Sequence, residues 1–428
     1  MNPAEKSQLK FKIGRVFTPS APIASESLFA GRKPQIARLI NAASLRGQHA
    51  VLFGERGVGK TSLANVLSDF LKPISGFVIV STNCEPTSNF KSIWTNVFNE
   101  LVVTEQDTGM GFRPPTHVEQ SSLSRKLSDD PSPEEIRQIL QAIGKPSLII
   151  IDELDQIRDK ETISRLANTI KTLSDHSIDA TLILVGVADS LDNLIAEHHS
   201  IDRALVQIQM PRMSPAELRE IIDKGLAELG MKIDKAAARR ISNLSQGLPH
   251  YTHSLALHAA QAAVDRDSIA INQDDVVMAL HSATDQAQQT IKRKYHEATS
   301  SPRGNLYAQV LLACALAETD ELGYFAAANV RQPMTKIMKR HFDIPAFARH
   351  LKDFCKPSRG AILHRIGFPK RYRYRFVDPL MEPFVLMKGI SNNLIDPDIL
   401  DSDSSGKPII PAASIETLPL FSQDVSSP

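Results

Sequence analysis

The chain has 428 residues, more than one hydrophobic core usually organises, so two or three domains are expected. Its hydrophobic share of 42% and charged share of 23% exclude wholesale disorder, and a net charge of +1 leaves any charged partner to be found locally. Cys84, Cys314 and Cys355 form no C-x-x-C pair, which excludes a zinc ribbon or disulfide framework and fits a reducing cytoplasm.

Residues 1–12 are polar and charged without an apolar stretch, and no run reaches the ~18 apolar residues of a membrane span. Neither export nor a membrane anchor is expected, and residues 1–27 read as a polar arm. Helical periodicity follows over 32–43, then a short buried strand at 50–53 that ends in glycines. A helix over 60–71, a strand at 77–81, a helix over 90–101 and strands at 148–151 and 181–187 continue the alternation. Strand alternating with helix implies a parallel sheet covered on both faces. Residues 104–133, rich in Ser, Pro, Gly, Asp and Gln, read as a mobile insertion. From Ser214 the pattern turns helical: Ser214-Pro-Ala-Glu217 is a capping box with proline at the first helical position, and helices are expected over 235–244, 251–264 and 274–283.

Gly54-Glu-Arg-Gly-Val-Gly-Lys-Thr61 satisfies G-x-x-x-x-G-K-[ST] between an expected strand and helix. Such a loop turns successive backbone N–H groups toward an anion, and the following helix adds its positive end. The candidate nucleotide-binding residues are therefore Gly54, Glu55, Arg56, Gly57, Val58, Gly59, Lys60, Thr61 and Ser62. Lys60 is expected to reach the β- and γ-phosphates of ATP, with Thr61 on Mg²⁺. Leu148-Ile-Ile-Ile-Asp-Glu153 ends an apolar strand with two adjacent carboxylates. Asp152 fits the second Mg²⁺ partner, and Glu153 fits the group that orients or deprotonates the attacking water.

The set resembles the AAA+ ATPase superfamily, in particular its origin-recognition and replication-initiator branch, with features similar to STAND signalling ATPases. Leu28-Phe-Ala-Gly-Arg32 resembles the segment of that branch that borders the adenine. Leu184-Val-Gly-Val-Ala-Asp-Ser190 is similar to its sensor strand, which makes Asp189 or Ser190 the sensor where the family more often has asparagine. The resemblance makes Arg203 an arginine finger for a neighbouring subunit. Gly247-Leu-Pro-His250 resembles both the second-sensor position, at His250, and the STAND G-x-P turn, at Pro249. Histidine lacks arginine's permanent charge, which favours slow turnover or switch behaviour.

Residues 302–390 hold 15 Lys plus Arg against 7 Asp plus Glu, a local +8 in a nearly neutral chain. An apolar helix over 306–317, helical stretches at 334–340 and 345–355 and two strand-like runs around 367–370 suggest a winged helix-turn-helix. On the third helix Phe347, Leu351 and Phe354 share one face, and Arg349, Lys352 and Lys356 the other. In Arg371-Tyr-Arg-Tyr-Arg-Phe376 a period of two points Arg371, Arg373 and Arg375 one way, with Lys370 beside them, as a comb for DNA phosphates. A solvated strand face or a protein-docking surface remains the other reading of these cations. Residues 391–428, with six acidic residues and one lysine, read as a disordered tail. Its cluster at 416–421 faintly resembles peptides that dock on bacterial sliding clamps, beside the plainer reading of a chance cluster or intramolecular dock.

The expected architecture is α/β: a P-loop NTPase (AAA+) parallel sheet over 28–211, a helical lid over 212–299 and a winged helix over 300–390, between the arm and the tail. The expected activity is ATP hydrolysis with Mg²⁺ coupled to double-stranded DNA binding and self-assembly. The alternative is a STAND-like ATP/ADP switch that oligomerises and recruits an effector protein, and a nucleotide-binding scaffold with little catalysis stands behind both.

Overall fold

The computed structural model describes residues 1–22, 29–72, 76–106, 118–187, 201–301, 305–320, 322–369 and 371–396. Its centre is a five-stranded parallel sheet of β1 (His49–Gly54), β2 (Val78–Asn83), β3 (Ser147–Asp152), β4 (Ala180–Gly186) and β5 (Leu205–Met210), in the order β2-β3-β4-β1-β5. The two central strands β3 and β4 are buried along their whole length, which is why their sequences run apolar without alternation. The period of two still sorts them: Leu148 and Ile150 enter one core, Ile149 and Ile151 the other.

One face carries α2 (Lys33–Ser44) and α3 (Lys60–Leu71); the other carries α4 (Phe90–Glu100), α5 (Pro133–Ile143) and α6 (Lys160–Asp175). Each expected strand and helix of this core is present, shifted by one or two residues at its ends. The insertion differs. Val102–Gln106 and Val118–Ser122 pair as an antiparallel hairpin, followed by a 3-10 turn at Leu123–Lys126, so its described residues are built rather than structureless. The Ser122 hydroxyl donates to the Phe98 carbonyl at 3.0 Å and anchors the hairpin to α4.

The N-terminal arm is a second correction. Residues 3–16 form α1 (Pro3–Val16), capped reciprocally by Asn2 and Glu5 with Pro3 in the first turn. Asn2-Pro-Ala-Glu5 repeats the signal of Ser214-Pro-Ala-Glu217, and the helix behind it packs a narrow stripe on the core: Ile13 is buried, Leu9 and Val16 are half-buried one turn to either side, and Phe17 is buried just beyond. The helix lies on α7 (Pro215–Leu229) and α9 (Pro249–Asp265), held by ion pairs from Lys6 and Lys10 to Asp267 and Asp265. Phe17 seats against Gly225 of α7, where a Cβ would stand 2.5 Å from its ring.

The helical part comprises α7, α8 (Lys235–Ser245), α9, α10 (Gln273–Gln286) and α11 (Gln289–Thr299). Ser214 and Glu217 form the expected capping box of α7. The basic segment folds as α12 (Tyr307–Ala315), a two-residue strand at Phe325–Ala326, α13 (Ala327–Met338), α14 (Ile344–Phe354), and two antiparallel strands at Leu363–Ile366 and Arg373–Phe376 that pair with the short strand into a three-stranded sheet. Phe347, Leu351 and Phe354 are all buried, as the 3.6 period requires. A final helix, α15 (Met381–Ser391), packs on α8, α10, α11 and α12 and fuses this segment to the helical part. Ile395 is buried as well, so ordered packing runs past residue 391; residues 397–428 lie outside the described residues.

Phe17→Ala is expected to lower unfolding stability by about 3–5 kcal/mol, the range for emptying a buried phenyl site. Urea denaturation measures the loss, with faster hydrogen exchange in α1 as its local signature.

Candidate functional site

The carboxyl ends of β1 and β3 open into a cavity of about 360 Å³. Its floor is the loop between β1 and α3. Gly57 and Gly59 take φ of +84° and +95°, a region that side chains with a Cβ rarely enter, so the glycines of the motif are required by backbone shape. At Gly54 a Cβ would meet the Met210 carbonyl at 2.4 Å, so β5 also demands glycine there. Arg56 through Ser62, Asp152, Glu153, Pro249 and His250 all line the cavity.

Within it, the Thr61 hydroxyl donates to Asp152 Oδ2 at 2.6 Å, and the Glu153 amide donates to Asp152 Oδ1 at 2.7 Å. Residues 91 apart in sequence are thus in contact. Glu153 is exposed and holds φ of +58°, a left-handed conformation uncommon for a residue with a Cβ. Lys60 is turned onto its own loop, its Nζ donating to the carbonyls of Gly54 at 3.0 Å and Glu55 at 2.9 Å. Burial draws its ammonium below the usual lysine range, a pull opposed by the carboxylates of Asp155, Asp152 and Glu55.

Phe29, Ala30, Met213, Ile221 and Pro249 add apolar surface to the cavity lining, and Arg32 lines it as well. Arg32 is 2% exposed, and its guanidinium donates to the carbonyls of Val58 at 3.1 Å and Pro211 at 2.7 Å. Burial lowers its pKa, with Glu217 pulling the other way. At Gly31, φ is +66° and a Cβ would stand 2.6 Å from Glu217, whose carboxylate also accepts the Arg32 amide at 3.2 Å. The Gly-Arg pair therefore binds the glycine loop to α7. Residue 28 lies outside the described residues.

Composition gave no hint that residues 18–22 would reach the site. They line the cavity, and the His250 Nδ1–H donates to the Pro19 carbonyl at 2.7 Å. Burial lowers the His250 pKa, so the imidazole at the expected second-sensor position is neutral and already engaged. Val187 closes the side below β4, whereas Asp189 and Ser190 lie outside the described residues. Arg203 is exposed in the turn before β5 and does not line the cavity.

The basic segment is a partial correction. Arg373 is exposed but pairs with Asp320 at 2.5 Å, and Arg375 stacks on the Tyr324 ring at 4.9 Å. The alternation holds, with Tyr374 and Phe376 buried, yet two teeth of the comb are engaged by the protein itself. On α14, buried Asp353 holds Lys356 at 2.6 Å and faces Arg349 at 3.6 Å. Lys352 and Arg371 stand exposed; Lys370 lies outside the described residues.

Among the described residues no group of three His, Cys, Asp or Glu could hold a metal alone. The Thr61 hydroxyl and Asp152 carboxylate are hard oxygen donors that suit Mg²⁺ when phosphate oxygens and water complete the shell. Cys84, beside this edge, has its thiol pushed up to about 12 by burial and by Asp152, so it stays a thiol.

His49, at the start of β1, is fully buried; its Nδ1 accepts the Leu182 amide at 3.0 Å, which places the proton on Nε2. Burial lowers its pKa to about 3 and that of His253 to about 4. The unfolded chain protonates both near 6.5, so the stability they contribute is complete above about pH 6.5 and is lost as pH falls toward 4 and 3. Denaturation midpoints are expected to drop across that window, and His49→Phe to shallow the slope.

Residues 44–195 match the family model described as AAA domain. No curated protein matches the chain. Among solved structures, the Walker-type ATPase PABY2304 of Pyrococcus abyssi is 14% identical with a TM-score of 0.50, over 86% of this chain and 99% of that one. Cdc6p from Pyrobaculum aerophilum is 16% identical with a TM-score of 0.47, over 89% and 99%. The Aeropyrum pernix ORC2 protein, in ADPNP–ADP complexes, is 15% identical with a TM-score of 0.48, over 89% and 98%. The sheet, its flanking helices and the loop between β1 and α3 are an AAA+ P-loop fold.

Proposed function

We propose that the chain binds ATP with Mg²⁺ in the cavity and hydrolyses it. The observation that carries this reading is the 2.6 Å contact of Thr61 with Asp152 beside the glycine loop, which joins the two metal-facing groups of the motifs. The phosphates lie on the loop amides, Lys60 turns from the carbonyls of Gly54 and Glu55 to meet them, and the base packs against the apolar surface of Phe29, Met213 and Ile221. A magnesium ion supplies charge neutralisation of the phosphates and order among their oxygens. Glu153, exposed at the cavity rim, orients or deprotonates the water. Arg203, outside the cavity, is available to a neighbouring subunit in a self-assembled state.

Lys60→Ala is expected to weaken Mg-ATP binding by about 10- to 100-fold, the worth of a charge-assisted phosphate contact. Glu153→Gln keeps binding and loses about 100-fold or more in turnover. Calorimetry and phosphate release read the two effects, and a Gln variant that turns over at the parental rate removes Glu153 from the mechanism.

The same reading extends to duplex DNA through the basic segment, whose element order is that of a winged helix-turn-helix. The local excess of cations supports it, with Lys352 and Arg371 as the leading phosphate contacts because they are exposed. The pair Lys352→Ala and Arg371→Ala should flatten the salt dependence of binding by about 0.9 in log–log slope for each phosphate no longer neutralised. Arg373→Ala removes the Asp320 pair as well, so it should act on stability more than on that slope. A slope unchanged in the double variant would move the segment's role from DNA to protein contacts.

A further inference from the structure

One wall of the cavity comes from the C-terminal segment. Leu380, in the turn between the last strand and α15, lines the cavity. A Cβ at Gly57 would stand 3.0 Å from Leu380 Cδ2, so the leucine rests on the phosphate loop itself. From the lid side, the buried Tyr251 hydroxyl donates to the Leu380 carbonyl at 2.7 Å and fixes it there. Two residues on, Glu382 pairs with Arg212 at 2.7 Å, and Arg212 also pairs with Glu55 of the loop at 2.6 Å. Burial alone would lower the Arg212 pKa, but Glu382 and Glu55 more than offset it and keep the guanidinium charged. The core, the lid and the C-terminal segment therefore meet at one arginine.

Two carboxylates on one guanidinium leave a net negative charge beside a loop shaped for an anion. In the same arrangement Lys60 is spent on the carbonyls of Gly54 and Glu55. Both features oppose a polyphosphate while Leu380 presses on the loop.

We propose that Glu55, Arg212 and Glu382 form a latch that fixes the C-terminal segment on the phosphate loop, and that filling the nucleotide site and closing this latch oppose each other. The proposal rests on the nucleotide reading above. Linkage makes the effect reciprocal: opening the latch without adding negative charge at the loop tightens nucleotide binding, and nucleotide opens the latch by the same factor. The C-terminal segment thereby receives the state of the site through a direct contact.

The test uses the full chain, with Mg-ATP titrations and hydrogen exchange of residues 381–391. Glu382→Gln neutralises the excess charge and is expected to tighten Mg-ATP about five-fold or more, the lower end of ordinary site-to-site coupling. Arg212→Gln also opens the latch and should speed α15 exchange. It leaves two uncompensated carboxylates beside the loop, however, whose repulsion of the phosphates outweighs the opening, so binding is expected to weaken by a similar factor. Opposite signs separate a latch from plain structural damage, which would weaken both variants. Mg-ATP should speed exchange in α15 of the parent chain, and Glu382→Gln should do so without nucleotide. Should Glu382→Gln fail to fold by circular dichroism, Glu55→Gln keeps the Arg212–Glu382 pair and is expected to tighten binding in the same way. Binding no tighter in either carboxylate variant, or α15 exchange indifferent to Mg-ATP, overturns the latch. If the parent chain binds no Mg-ATP, the nucleotide reading fails by itself; unchanged α15 exchange in nucleotide-free Glu382→Gln then overturns the latch separately.

Discussion

The hydrogen bond from Thr61 to Asp152 ties the helix that follows β1 to the end of β3, across the intervening strand β4. It exists because three parallel strands end at one edge, so that a loop from the first and a carboxylate from another project into the same space. Several neighbours grip that loop. Arg32 grips it at Val58, Met210 limits it to glycine at Gly54, and Arg212 takes hold of Glu55. A chain of positive-φ glycines would be among the least rigid parts of a protein without such neighbours. Here it is held from three sides.

Buried charge is used at this site for connection. Arg32 has 2% of its surface exposed, and its charge is met by carbonyl oxygens and by Glu217. Arg212 sits between two carboxylates from distant parts of the chain. Removing one partner from such a group is far more damaging than never having had it, because the charge left behind is poorly solvated. Both arginines stand where separate pieces of the fold meet, so these pieces are bound by groups that tolerate few alternative arrangements.

The α/β core was readable because each element there carried a one-dimensional signal. Leu148–Ile151 is apolar on both faces since both faces are covered, and the glycine loop is spelled by its backbone requirement. The paired strands Val102–Gln106 and Val118–Ser122 and the helix α1 were not readable on the same terms. Polar residues can pair as strands when a helix anchors the hairpin, as α4 does through Ser122. The helix α1 fully buries only Ile13 along its length and is held by Leu9, Val16 and Phe17 packed on the core and by ion pairs with residues far away. Its capping box was written plainly in Asn2 to Glu5, ahead of a narrow stripe of Leu9, Ile13 and Val16 amid charged residues. The comb at Arg371 to Arg375 shows the opposite limit: period two correctly sorted arginines from aromatics, but Asp320 and Tyr324, which engage Arg373 and Arg375, come from about fifty residues upstream.

The sequence by itself determined the strand–loop–helix of the phosphate motif, the paired acids after an apolar strand, the cap of α7 and the buried face of α14. Each depends on residues within one turn or one pleat of one another, where spacing dictates geometry. Only the tertiary structure decided that Lys60 rests on its own loop, that residues 18–22 line the cavity, and that Leu380 and Glu382 reach the phosphate loop from the far end of the chain. Those contacts join residues more than a hundred positions apart or depend on which carbonyl lies nearest. No local periodicity encodes them, because they arise from how finished elements pack.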